Sequence, residues 1–145
     1  METTLQSQLK NWRHHLHRYP ETGFEEVATS EYVADVLQGL GMEVHRGIGG
    51  TGLVANLTVG GGNGVIGLRA DMDALNIVEN APERPHASCT HGKMHACGHD
   101  GHRSMILGAA RLLGERRDFN GTVRFIFQPG EEHGCGAKAM MSDGL

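Results

Sequence analysis

The spacing of apolar side chains changes period along this chain, from helical to strand-like and back, and that alternation restricts it to a layered α/β domain. Leu5, Leu9, Trp12 and Leu16 recur at helical spacing and predict a first helix over residues 5–17, ended by Pro20. Phe24, Val27, Ala28, Tyr32, Val33, Val36, Leu37 and Leu40 continue the helical spacing, and Gly39 and Gly41 are placed to stop a second helix. Beyond Gly41 the apolar runs shorten. Residues 42–45, 52–59 and 65–69 read as strands, and the run Gly60-Gly61-Gly62-Asn63-Gly64 predicts that the second and third of them form a hairpin or short-loop pair. Residues 71–99 have little periodicity and contain Pro82 and Pro85, which makes them a long loop of the kind that carries function. Met105, Ile106, Ala109, Leu112 and Leu113 share one side of a third helix over 104–116. A strand over 122–127, stopped by Pro129, and a fourth helix opening over 135–141 complete the pattern.

At 145 residues the chain has the size of one domain, and its 39% hydrophobic and 21% charged residues match a folded globular protein. A formal charge of -4 argues against a nucleic-acid partner, which asks for clustered Lys and Arg. No apolar run approaches the ~18 residues of a membrane span, and the first residues lack the basic and apolar regions of a signal peptide. A cytoplasmic protein with no membrane partner is expected. Cys89, Cys97 and Cys135 are odd in number and sit among His, Gly and Asp, so reduced thiols are expected. Ten histidines are unusual for this length, and they concentrate at 14–17 and 86–102.

The second concentration holds the strongest chemical signal. Residues 94–102 read Met-His-Ala-Cys-Gly-His-Asp-Gly-His, a thiol, three imidazoles and a carboxylate in nine positions, a density that suits Zn²⁺, Mn²⁺ or a similar ion. Any one of these histidines alone reads as a solvated loop residue; the cluster does not. In an extended loop Cys97 and His99 point the same way and can share one ion, and Asp100 and His102 stand beside them as candidate supporting groups. Glu131 and Glu132 follow a strand, where one carboxylate can bind metal while the other takes a proton; the same pair also suits a dipole cap on the next helix. Asp71 and Asp73 end another strand, either as a plain turn or as groups that hold a ligating imidazole in one tautomer. Three strand-to-loop junctions with metal-compatible groups point to a metal-centred hydrolase.

Arg13-His14-His15-Leu16-His17 with Pro20-Glu21, then 68–75, 95–102 and 125–132, run in one order across nearly the whole chain and resemble the amidohydrolase branch of the M20 metallopeptidase group. That branch holds hippurate hydrolases, aminoacylase-like enzymes, N-acetyldiaminopimelate deacetylases and plant auxin-conjugate hydrolases. The resemblance implies an α/β/α sandwich of the zinc-exopeptidase type, with residues 1–145 as the amino-terminal part of the catalytic domain and the lid domain outside this chain. It also implies a site of two divalent ions (Mn, Zn, Co or Ni), with Cys97, His99 and Glu132 as ligands. Glu131 would be the general base that acts through a metal-activated water on the amide bond of small N-acyl amino acids. Relatives are longer and draw at least two further histidine ligands from beyond Leu145, so the remainder is expected from further sequence or from a complementing chain, a second copy included. Asn76 and Gly130 depart from the group, which usually has proline and alanine there. Two other readings stay open: a non-catalytic metal- or partner-binding chain, and a nucleophilic or redox Cys97 whose pKa neighbouring imidazoles lower.

Overall fold

The computed structural model describes residues 4–145. Two helices come first, α1 (Leu5–Arg18) and α2 (Val27–Gly39), followed by strands β1 (Glu43–Ile48), β2 (Gly52–Val59) and β3 (Val65–Asp71). Helix α3 (His99–Arg116), strand β4 (Gly121–Gln128) and helix α4 (Gly136–Ser142) complete the order. Thr4 caps α1 by accepting the Ser7 N–H. The residue at the same position of α2, Glu26, makes no such cap. Glu21 takes over, accepting the N–H groups of Ala28 and Thr29 at 3.2 and 2.7 Å and setting a negative charge at the positive end of the helix.

The sheet order is β1-β2-β4-β3, with β1–β2 and β2–β4 antiparallel and β3–β4 parallel. The expected pairing of the second and third strands does not occur; β4 lies between them. The glycine run is a crossing rather than a hairpin turn. Gly62 N–H donates to Asn120 Oδ1 at 2.8 Å and Thr122 N–H to the Gly64 carbonyl at 2.9 Å, so the run is held against the start of β4. A parallel pair needs a crossover of a dozen residues or so at least, and the long loop with α3 supplies it.

Period-two alternation directs Leu53, Ala55 and Leu57 of β2 and Val123, Phe125 and Phe127 of β4 toward Trp12, Leu16, Val33, Leu37 and Leu107 of the three long helices. Truncating a fully buried ring such as Phe125 costs about 3–5 kcal/mol in such a core. Among the described residues, no helix is long and apolar enough to cross a membrane.

Helix α3 begins at His99, five positions before the expected start, so the second half of the histidine cluster is helical rather than loop. Gly98 makes this entry possible: its φ of 85° lies in the left-handed region, which glycine adopts without steric cost. Asp100, in the first turn, is fully buried and faces α1. It accepts from His17 Nδ1 at 2.9 Å and from Arg13 Nε at 3.3 Å, while His17 Nε2 lies 3.3 Å from Glu79 in the long loop. A doubly protonated His17 donates to both carboxylates and pins α1, the loop and α3 together.

The hydrogen bond to Asp100 raises the His17 pKa despite the opposing effect of burial, and Glu79 adds to it. For Asp100, burial favours the neutral acid, but the bond from His17 and the surrounding positive charge outweigh it and bring the pKa to about 2. Because the His17 pKa is raised on folding, its contribution is complete below the ordinary imidazole value and fades as pH rises through the folded one. Replacing His17 with Gln is therefore expected to cost on the order of 2 kcal/mol at pH 5.5 and clearly less at pH 8.5, measured by urea unfolding. Equal losses at both values would show that His17 does not titrate against these carboxylates.

Candidate metal centre

Because β3 and β4 run parallel and Asp71 lies opposite Gln128, both strands release the chain at the same edge of the sheet. Asp71 and Asp73 leave from β3, Glu131 and Glu132 from β4, and the start of α3 brings His99 between them. His99 is buried, and its Nδ1 lies 2.8 Å from the Asp73 carbonyl and 3.3 Å from Asp73 Oδ1. With Nδ1–H donating there, the Nε2 lone pair points into the cluster, 3.6 Å from Asp71 Oδ1 and 3.7 Å from both Glu131 Oε2 and Glu132 Oε1.

The ligand atoms of Cys97, His99 and Glu132 all lie within 4.8 Å of one another. A soft thiol, an imidazole with one tautomer enforced and a carboxylate form a donor set that fits Zn²⁺, Mn²⁺, Co²⁺ or Ni²⁺. A second convergence, of Asp71, His99 and His102, shares His99 with the first. Since Asp73 occupies Nδ1, the one free nitrogen of His99 can serve one ion only.

The electrostatics of the cluster are dominated by its carboxylates. The hydrogen bond to Glu132, then burial, then the charges of Glu132, Glu131 and Asp71 push the Cys97 thiol above its ordinary pKa. A divalent ion among these groups would reverse that and stabilise the thiolate. The carboxylates around Cys97 thus work against a nucleophile activated by nearby imidazoles. For His99, burial opposes the charged ring, but Asp73 and Asp71 outweigh it and the pKa is raised.

Asp73 is almost fully buried and joins the two strand exits. Its Oδ2 accepts the Glu132 N–H at 2.9 Å while Oδ1 faces His99. Burial works against its charge, yet the bonds from His99 and from the Glu132 and Glu131 backbone hold the carboxyl below the usual range. Asp71 accepts from His102 Nδ1 at 2.8 Å and from Arg69 Nη1 at 2.9 Å, and Arg69 also grips Gln128 across the strand pair. Asp100, one residue after His99, turns instead to His17 and Arg13.

Two participants carried no signal in the sequence. Arg103, one turn into α3, is fully buried and donates to the Met72 carbonyl and to His95 Nε2, which holds the chain between Asp71 and Asp73. Burial brings its pKa down to about 10, while burial and then the Arg103 charge take His95 to about 2, so His95 is a neutral acceptor. The other is Glu26, buried beside the Glu131-Glu132 turn. Apolar periodicity puts Glu26 in the second helical run and leaves Arg103 just before the expected third helix, and it is silent on the burial of both.

Comparison with known proteins identifies the family. The sequence pattern of peptidase family M20/M25/M40 matches residues 67–145, and the chain belongs to that family. It is 47% identical over 97% of its length to a hippurate hydrolase of Campylobacter jejuni. An N-acetyl-L-cysteine deacetylase of Bacillus subtilis is 43% identical over 98% of the chain, and an IAA-amino acid hydrolase of Arabidopsis thaliana 46% identical over 92%. The matches take in 36%, 34% and 30% of those proteins, so the chain spans about a third of their length. A dinuclear metal-binding M20 peptidase from Bacillus subtilis superimposes with a TM-score of 0.93 at 40% identity, over 99% of this chain and 40% of that one. The expected mixed α/β fold of this family is therefore the one that forms.

If Cys97 is a ligand, Cys97→Ser replaces a soft thiolate with a poor hydroxyl donor. Isothermal titration of the chain with Zn²⁺ is expected to show affinity reduced on the order of tenfold or more. Equal affinity in the variant would remove Cys97 from the ligand set.

Proposed function

We propose that the protein to which these residues belong hydrolyses the amide bond of small N-acyl amino acids, with Cys97, His99 and Glu132 holding divalent metal and Glu131 acting as general base. The observation that carries this reading is the meeting of Glu131 with the Cys97, His99 and Glu132 ligand atoms at one sheet edge. Hippurate, N-acetyl-L-cysteine and IAA-amino acids, the compounds named for three relatives, are all amino acids acylated on nitrogen. Their common chemistry, an amide next to a free carboxylate, defines the substrate class proposed here.

Divalent metal bound at these residues supplies Lewis-acid polarisation and makes water a nucleophile near neutral pH. The protein groups supply the rest. Glu131 lies beside the ligands but is not needed as one, so its carboxylate is free to take the proton from the attacking water and pass it to the leaving amine. Glu132 is steadied through its backbone by Asp73, which also holds His99, so one buried carboxylate keeps a ligand and the base-bearing turn in register. A second ion is supported by the dinuclear site named for the Bacillus subtilis structure; its remaining ligands would come from outside the described residues. The single usable nitrogen of His99 also favours a second reading, in which the chain binds one ion without turnover.

In the whole protein, Glu131→Gln is expected to lower kcat for an N-acyl amino acid such as hippurate by about 10²–10⁴ while metal content, read by elemental analysis, stays at the parent level. Activity retained in that variant would refute the general-base assignment. An inactive parent that still holds metal would favour the binding-only reading.

A further inference from the structure

Glu26 is fully buried, forms no ion pair among the described residues and does not cap the helix that it precedes, a task that Glu21 performs. Burying a carboxylate is costly unless its oxygens are matched, and both are. Oε1 accepts the Gly130 N–H at 2.9 Å and Oε2 the Thr51 hydroxyl at 2.5 Å. Gly130 is the residue before Glu131 and Glu132.

The segment around Glu26 touches both strand exits. Ala74 N–H donates to the Glu21 carbonyl at 2.8 Å and Thr22 bridges to Ala74, one residue beyond Asp73. On the other side Gly130 has φ +54°, and a Cβ there would lie 2.6 Å from the Phe24 ring. Phe24 itself is held at φ 63°, a conformation uncommon for a side-chain-bearing residue. Residues 21–26 thus form a strap across the ends of β3 and β4, and Glu26 is its one buried charge.

We propose that Glu26 is a positioning residue of the metal centre: its carboxylate fixes the Gly130 peptide and so the direction in which Glu131 and Glu132 leave β4. The proposal rests on the reading of Cys97, His99 and Glu132 as ligands. A carboxylate suits the task better than a neutral acceptor, because a charge-assisted bond to a backbone N–H is roughly twice as strong.

The test compares Glu26→Ala, Glu26→Gln and Leu37→Ala, the last a fully buried core position on α2 that serves as a stability control. Amide hydrogen exchange on the metal-free chain reads the strap directly, and titration with Co²⁺, followed by the thiolate-to-cobalt absorption of Cys97, reads its consequence. Glu26→Ala is expected to speed exchange selectively at Gly130 and the two residues after it and to weaken Co²⁺ binding about 10–100-fold, with a shifted cobalt spectrum. Glu26→Gln should fall between Ala and the parent, because its amide oxygen still accepts from Gly130. Leu37→Ala should speed exchange through the core yet bind Co²⁺ with the parent's spectrum.

Parent-like exchange and affinity in Glu26→Ala would overturn the proposal, as would a Leu37→Ala variant that loses cobalt to the same degree. If Glu26→Ala does not fold, Glu26→Gln decides: local exchange and affinity both identical to the parent would overturn the proposal. A parent chain that takes up no cobalt overturns the metal reading instead, and the exchange comparison still decides whether Glu26 holds the turn.

Discussion

Parallel pairing of β3 with β4 governs everything that happens at the site. It ends two strands at one edge, so that four carboxylates, Asp71, Asp73, Glu131 and Glu132, leave the sheet around the single imidazole of His99. Like charges a few ångströms apart repel by about 4 kcal/mol per pair at an effective dielectric near 20. Donors offset part of this: the half-exposed Arg69 on Asp71, the backbone on Asp73 and the buried Arg103 nearby. Glu131, Glu132 and the protonated Cys97 are left facing one another, and a divalent cation is the group that would relieve them.

The surroundings divide into two buried networks, one on each side of His99. Toward α1, Asp100 and His17 fix where α3 starts and tie it to the long loop through Glu79. Toward the sheet, Asp73 and Glu26 fix the turn after β4. Adjacent residues in the chain, His99 and Asp100, thus face opposite networks: helical geometry turns successive side chains by about 100° and lets one face the cluster while the next faces α1. This division of labour depends on the early helix start that Gly98 permits.

How much of this was legible beforehand differs by level. The order of helices and strands follows from apolar spacing alone, and boundaries such as β4 at 121–128 against the expected 122–127 differ by one residue. Strand pairing was not legible. The glycine run between β2 and β3 looks like a turn because turn and crossing need the same φ angles, and only the later strand β4, arriving between them, distinguishes the two. The candidate ligands could be singled out because Cys, His and Glu are rarely clustered for structural reasons. Glu26 and Arg103 could not, because a charged residue at or near a helix start is ordinarily solvated and nothing local in the sequence reports its burial. Asp100 illustrates the converse: proximity in sequence to a ligand says little about which way a helical side chain points.

The proposed chemistry requires that a thiolate, an imidazole and a carboxylate from this chain hold metal together. X-ray absorption at the zinc edge on the zinc-loaded, dialysed chain addresses that most directly. One sulfur scatterer at about 2.3 Å together with nitrogen and oxygen at about 2.0–2.1 Å is the predicted shell. A shell of nitrogen and oxygen alone, or zinc that washes out completely, would contradict the assignment of Cys97, His99 and Glu132 as a formed half-site.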